Sequence, residues 1–278
     1  MTYSKSQLNA LFDSHRIRPK RSLGQNFVVD ANTVRKIAYL SGVGANDHVI
    51  EVGAGAGSLS LALLETGAQL VCVEVDESLV EILQENVVSR GAEVVTGDAM
   101  DLDWDELLSQ ASEWVLVANL PYNIATPLIC DLLDKQPKIK KFVVMVQREV
   151  ADRLVANAGS SDYGSVSVKV DYWASRKKVA VVPPTVFVPK PKVESAVVVL
   201  ERRAEPLVSG SDVPAEHLFS LVQRAFNQRR KQLQKSLRAI VGNEDFVCAG
   251  VSPSARPQEL NVIEWGKLAA CNYRHSQN

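Results

Sequence analysis

Five short apolar runs, separated by helical stretches, restrict this chain to few architectures. The runs are His48–Val52, Leu70–Val75, Glu93–Thr96, Trp114–Ala118 and Phe142–Val146, and the helical stretches between them include Ser58–Thr66, Glu77–Ser89 and Thr126–Lys135. Strands this short and valine-rich, alternating with helices, predict a parallel sheet covered on both faces. Two later strand-like runs, Val166–Tyr172 and Ser195–Glu201, lie too close for a helical crossover and fit an antiparallel edge. The prolines of Pro183–Pro191 mark a loop between them. Arg202 to Val213 is polar and reads as a linker, and the pattern from Ala215 to Cys271 is helical. The expectation is an α/β chain: a Rossmann-like, doubly wound, mainly parallel sheet with a small helical C-terminal domain. Its parts are a basic arm and sheet domain over residues 1–204, a linker over 205–213 and helices over 214–278.

Composition narrows the class. With 278 residues, 46% hydrophobic and 23% charged, the chain has the make-up of a globular protein. No apolar run approaches a membrane span, and Met1 to Arg21 lacks the apolar core of an export signal. Cys72, Cys130, Cys248 and Cys271 are scattered without zinc or redox spacing. That predicts no metal site and unpaired thiols in a reduced, cytoplasmic setting. The net charge of −1 hides an asymmetry: residues 1–200 carry 20 basic and 24 acidic groups, residues 201–278 carry 11 and 8. Clustered cations matter more than totals for phosphate contacts.

The chemistry concentrates at strand ends. Glu51-Val52-Gly53-Ala54-Gly55-Ala56-Gly57 follows the first strand and precedes a helix. Glycines there allow a tight turn and backbone contact with a ligand, as expected for a nucleotide-type cofactor at the carboxyl edge of a doubly wound sheet. The dinucleotide spacing is not met, because Ser58 stands where the third glycine would be. Glu51 suits a ligand with a positive centre. Glu74, 21 residues after Gly53, can accept from both hydroxyls of a ribose. Asp98, beside Ala99 after the third strand, offers an acceptor. After the fourth comes Asn119-Leu120-Pro121-Tyr122. Proline keeps Leu120 extended and its carbonyl presented. A side-chain amide, a carbonyl and an aromatic face together suit a planar ring held by its exocyclic amino group.

These motifs together resemble the rRNA adenine N6,N6-dimethyltransferase family of the KsgA type. The resemblance runs from Lys20-Arg21-Ser22-Leu23-Gly24-Gln25-Asn26-Phe27 through the glycine loop, Glu74, Asp98 and Asn119–Ile124. It continues through Val146–Leu154, Phe187–Val193, Arg229-Arg230-Lys231 and Arg256–Leu260. It implies the S-adenosylmethionine-dependent methyltransferase fold. It also implies a cofactor, S-adenosyl-L-methionine, leaving as S-adenosyl-L-homocysteine. By position, cofactor contacts fall on Gln25, Asn26, Val28, Glu51, Gly53, Gly55, Glu74, Asp98, Ala99 and Asn119. Val28 stands where the family often has leucine, which a backbone contact tolerates. The implied reaction dimethylates N6 of two adjacent adenosines near the 3′ end of small-subunit rRNA, and the implied partner is the pre-small ribosomal subunit. The alternatives are the large-subunit methylase of macrolide resistance and an assembly factor whose methylation is secondary. Nothing in the sequence suggests an obligate dimer, so a monomer is expected.

Catalysis is expected from Asn119 Oδ1 and the Leu120 carbonyl on the N6 hydrogens, with Pro121 fixing the turn. Tyr122 stacks on one face of the base and Phe187 covers the other. For RNA, Arg224 to Arg238 holds six basic and no acidic residues. On one continuous helix, Arg224, Lys231, Lys235 and Arg238 form a stripe opposite Val222, Phe226, Leu233, Leu237 and Ile240. Arg229 and Arg230 flank the apolar side and can reach outward. Arg18, Lys20 and Arg21, with Arg16, form a second cluster. The runs Lys138/Lys140/Lys141 and Arg176/Lys177/Lys178 read as solvated faces.

Overall fold

The computed structural model describes Tyr3–Gln277. It divides into two compact units. The first runs to Ala151 and resumes over Lys177–Glu201; the second comprises Asp152–Arg176 and the chain from Arg202 onward. The expected division into 1–204 and 214–278 therefore shifts, because residues 152–176 join the C-terminal helices. The cause is burial: Tyr163, Val168 and Tyr172 sit in one core with Leu218, Leu221 and Trp265.

In the first unit the N-terminal helix α1 (Lys5–Ser14) leads through an arm to a two-residue strand β1 (Phe27–Val28). The main strands follow: β2 (His48–Val52), β3 (Gln69–Glu74), β4 (Glu93–Thr96), β5 (Trp114–Asn119), β6 (Ile139–Gln147), β7 (Ala174–Val182) and, after the short β8 (Phe187–Val188), β9 (Ser195–Arg202). The seven-stranded sheet has the order β4-β3-β2-β5-β6-β9-β7. Pairing is parallel from β4 to β6, and β9 runs antiparallel to β6. Helix α2 (Ala31–Ser41) leads into β2, and helices α3 (Ser58–Leu64), α4 (Glu77–Val87), α5 (Trp104–Leu107) and α6 (Ala125–Lys135) connect the parallel strands. The strand order reverses between β2 and β5, which opens a crevice at their carboxyl ends. Apolar residues on both faces of the strands explain the parallel core: Leu116–Ala118 and Phe142–Val146 are all fully buried.

Val166–Tyr172 is not a strand. Its alternating residues belong to helix α8 (Ser165–Trp173), after α7 (Arg148–Val155). Helical spacing buries Val168 and Tyr172 on one face, and Ser167 Oγ donates to the Arg153 carbonyl. Tertiary burial overrides the β propensity of the valines. The outer strand is β7 instead, which carries Arg176-Lys177-Lys178. Arg176 is paired with Asp171 in the second unit.

The second unit also departs from one continuous helix. Helix α9 (Ala215–Phe226) ends, residues 227–232 turn, and α10 covers only Leu233–Ser236. The Leu233 and Gln234 amides donate to the Ala255 and Pro253 carbonyls rather than continuing α9. Val222, Leu233 and Leu237 are nevertheless buried in the unit's core and Phe226 packs against it, whereas Ile240 is exposed. Helices α11 (Asn243–Ala249) and α12 (Val262–Ser276) follow. Contrary to the expected free thiols, Cys248 on α11 is disulfide-bonded to Cys271 on α12 with their Cα atoms 6.0 Å apart. Sequence spacing misses the pair because two helices bring it together. Cys72 and Cys130 form no disulfide. Among the described residues no helix is long and apolar enough to cross a membrane.

Candidate active site

The loops after β2, β3, β4 and β5 meet at the crevice, and the arm before β1 forms a further wall. They enclose an open-mouthed cavity of about 940 Å³, lined by residues 23–28, the glycine loop, Glu74, Asp98, Ala99 and Asn119–Tyr122. Gly53 and Gly55 hold φ of 72° and 59°. Their lack of side chains has a second use. A Cβ on Gly55 would stand 3.0 Å from the Phe27 ring, and one on Gly53 would stand 3.2 Å from Pro121 Cδ. Glycine thus lets the arm and the Pro121 turn close on the loop.

The acids differ in state. Glu74 is buried, and its carboxylate accepts the backbone N–H groups of Gly55 (2.7 Å), Val75 (3.0 Å) and Asp76 (2.9 Å). Burial raises its pKa, against the lowering effect of those bonds. Oε1 takes the Val75 and Asp76 amides and Oε2 takes Gly55, so one lone-pair site, on Oε2, remains for a hydroxyl donor. Asp98 is exposed at the cavity, oriented by the Met100 amide on its Oδ1 at 2.9 Å. Ala99 is buried beside it, its carbonyl taking the Trp104 indole N–H. Glu51 is 2% exposed and its Oε2 accepts the Ser60 hydroxyl at 2.5 Å. Burial pushes its pKa up to about 8, so the carboxyl is largely neutral at pH 7.

The Asn119 turn is held from three sides. Asn119 Nδ2 donates to the Asn26 carbonyl at 3.0 Å, which assigns the amide orientation. The Leu120 amide donates to the Met145 carbonyl. Tyr122 Oη pairs with Ser195 Oγ at 3.1 Å. Among the described residues no hydrogen bond engages Asn119 Oδ1 or the Leu120 carbonyl. The turn thus offers two acceptors and one aromatic ring at the cavity.

Gln25, Asn26, Val28, Glu51, Gly53, Gly55, Glu74, Asp98, Ala99 and Asn119 all lie on the cavity, with Leu120, Pro121 and Tyr122. Phe187 does not. It is 3% exposed, pairs across β8 with Val28 of β1, and packs in the sheet core. It therefore lies off the cavity wall, on the strand paired with Phe27–Val28. Lys20 also departs from its expected place as a free RNA contact: its ammonium is paired with Asp76 at 2.6 Å. Arg18, Arg21, Arg224, Arg230, Lys231, Lys235 and Arg238 are exposed. Arg229 instead donates to the Ser161 carbonyl at 2.6 Å. Because α9 ends at Phe226, the four-residue stripe is a cluster across two helices and a turn.

Asp76, Ser60, Ser195 and Phe27 are site residues that the sequence did not single out. Only Asp76 carried a local signal, since an aspartate before Glu77-Ser78 marks a helix start. That signal says nothing of its partners on the arm.

Residues 16–266 match the family model described as ribosomal RNA adenine dimethylase. The Ribosomal RNA small subunit methyltransferase A of Cutibacterium acnes is 45% identical over 276 residues, spanning 95% of this chain and 92% of that protein. The protein of the same name in Kineococcus radiotolerans is 44% identical over 277 residues, spanning 96% and 90%. Among solved structures, the 23S rRNA methyltransferase ErmE superposes with a TM-score of 0.68 at 27% identity, covering 88% of this chain and 98% of that one. A dimethyladenosine transferase from Plasmodium falciparum shares the fold, with a TM-score of 0.72 at 24% identity over 87% and 95% of the two chains.

Proposed function

The chain belongs to the ribosomal RNA adenine dimethylase family, and from that premise we propose the reaction its site performs. It dimethylates N6 of adenosine in small-subunit rRNA, using S-adenosyl-L-methionine and releasing S-adenosyl-L-homocysteine. The targets are two adjacent adenosines near the 3′ end, presented on the pre-small subunit in the cytoplasm, and the enzyme acts as a monomer.

The residues on the cavity fit this cofactor. The close approach of Phe27 and Pro121 to Gly55 and Gly53 shapes a cradle that a side chain would fill. Glu74 holds a spare acceptor site on Oε2 for a ribose hydroxyl, and Asp98 offers an acceptor for an adenine amino group. Gln25, Asn26 and Val28 form the arm side, and Glu51 lies beneath the loop. When bound, S-adenosyl-L-methionine supplies an electrophilic sulfonium methyl.

The observation that carries the reading is the Asn119 turn: Asn119, Leu120, Pro121 and Tyr122 line the same cavity as the glycine cradle. Adenine N6 is a poor nucleophile because its lone pair is delocalised into the ring. Two acceptors on its hydrogens favour a pyramidal nitrogen with a localised pair. Asn119 and Leu120 supply them, and Tyr122, steadied by Ser195, supplies a stacking face. Stacking contributes roughly 1–3 kcal/mol per base, and the base must leave its helix or loop to reach the cavity. Catalysis is orientation and electrostatics, without a covalent enzyme intermediate. For the second transfer N6 keeps one hydrogen, so one acceptor suffices.

Exposed cations Arg224, Arg230, Lys231, Lys235 and Arg238, with Arg18 and Arg21, meet phosphate. Mapping N6,N6-dimethyladenosine in rRNA from cells with and without the protein tests the substrate. Loss confined to two neighbouring small-subunit adenosines is expected. Loss in large-subunit rRNA would favour the ErmE-like alternative, and unchanged modification with failed subunit assembly would favour the binding role.

A further inference from the structure

The N-terminal arm is fastened at one carboxylate that the methyl transfer does not use. The Asp76 side chain is 1% exposed. Its Oδ1 accepts Lys20 Nζ at 2.6 Å and the Ser78 backbone N–H at 3.1 Å. Its Oδ2 accepts Gln25 Nε2 at 2.7 Å. Gln25 in turn accepts the Lys20 backbone N–H on Oε1 at 2.7 Å, so Lys20, Gln25 and Asp76 form a closed set. Burial alone would raise the Asp76 carboxyl. The bonds from Lys20, Ser78 and Gln25 outweigh it and hold the group below its usual range, as a carboxylate.

Capping α4 needs one oxygen and no charge. The second oxygen and the negative charge of Asp76 both go to the arm. The segment fastened in this way forms a wall of the cavity. Phe27 lies against Gly55, Gly24 approaches Pro121 and Asn123, and the Asn26 carbonyl takes the Asn119 amide. One carboxylate therefore fixes both the cover of the glycine cradle and the orientation of Asn119.

We infer that Asp76 is a positioning residue, latching Lys20–Phe27 over the cradle so that the methyl donor is retained and Asn119 presents its oxygen. The inference rests on the cavity being the cofactor site. Lys20 is 48% exposed on its side of the pair, so salt weakens that half of the latch. The Gln25 half is neutral and resists salt.

The test measures release of radiolabelled S-adenosyl-L-methionine from the full chain, with tryptic cleavage after Arg21 as a readout of arm opening. Asp76→Asn keeps a cap acceptor but turns an amide toward Gln25. Lys20→Met leaves the cap untouched, and Lys20→Arg retains the charge. A charge-assisted bond lost from a buried acceptor predicts release about tenfold faster in Asp76→Asn. Lys20→Met follows in the same direction and Lys20→Arg stays near wild type. Cleavage after Arg21 accelerates in Asp76→Asn and Lys20→Met while the unfolding midpoint holds. Unchanged release and cleavage in both variants would overturn the latch. If Asp76→Asn fails to fold, Lys20→Met decides alone by the same criteria. Failure of the unaltered protein to bind the cofactor would instead remove the cofactor reading, and the latch with it.

Discussion

Glu51 shows how environment sets the chemistry of a residue within a motif. Its place before the glycine loop suggests a negative charge, yet burial brings its pKa to about 8 against an ordinary 4.5. Between those values the native state keeps a proton that the unfolded chain has lost. The stability tied to Glu51 is therefore complete below about 4.5 and is lost as pH rises through about 8. Glu51→Gln retains an oxygen for the Ser60 hydroxyl and removes the titration. Urea unfolding across that interval is expected to show wild type losing on the order of 1–4 kcal/mol relative to the variant. Parallel profiles would contradict it. At this scale Glu74, Asp98 and Asn119 were legible because strand ends fix where they stand. Ser195 and Asp76 were not, because each acts on a partner far away in sequence; Ser60 lies only nine residues from Glu51, but its bond depends on how α3 packs against β2. Phe187 lies off the cavity, and its pairing with the arm strand cannot be seen from its own loop.

Helix α9, the turn, α10 and the residues just after it carry Arg224, Arg230, Lys231, Lys235 and Arg238 on one stretch of chain. If these meet rRNA phosphates, affinity falls linearly with salt on logarithmic axes. Replacing Lys231 and Lys235 by glutamine is expected to lower that slope by roughly 0.7–0.9 for each cation removed, measured by filter binding over a salt series. An unchanged slope would exclude the cluster. The parallel strands β2 to β5 were read to within a residue at each end, whereas the expected Phe142–Val146 is only the buried middle of β6 (Ile139–Gln147); apolar, Val-rich runs mark where such strands lie. Ser165–Trp173 and the break after Phe226 were not. In the first, alternating valines imitate a strand until Tyr172 and Val168 find a helical core. In the second, the apolar spacing of Val222, Leu233 and Leu237 survives a turn that periodicity cannot detect, because the donors of α10 pair with the loop at 253–255.

The molecule carries the glycine-loop cavity and the Asn119 turn in one unit and a helical core in another, with residues 152–176 folded into the second. That allocation was hidden because the segment interrupts the first unit in sequence. The Cys248–Cys271 link joins α11 to α12 and stands against the reduced setting expected from the cysteine spacing. Reduction, or Cys248→Ser, is expected to lower the stability of the helical unit by about 2–4 kcal/mol. Calorimetry with and without reductant checks it, and a transition insensitive to both would show that the link is not formed. The central claim is that Asn119 and Leu120 activate adenine N6 beside a bound methyl donor. It is tested most directly by single-turnover methylation of unmodified small subunits, comparing wild type with Asn119→Ala at saturating S-adenosyl-L-methionine. Wild type is expected to form N6,N6-dimethyladenosine and the variant to fall by roughly 100-fold or more, the scale of losing a transition-state hydrogen-bond partner, with the cofactor still bound. Near-normal dimethylation by Asn119→Ala with the cofactor bound would contradict it.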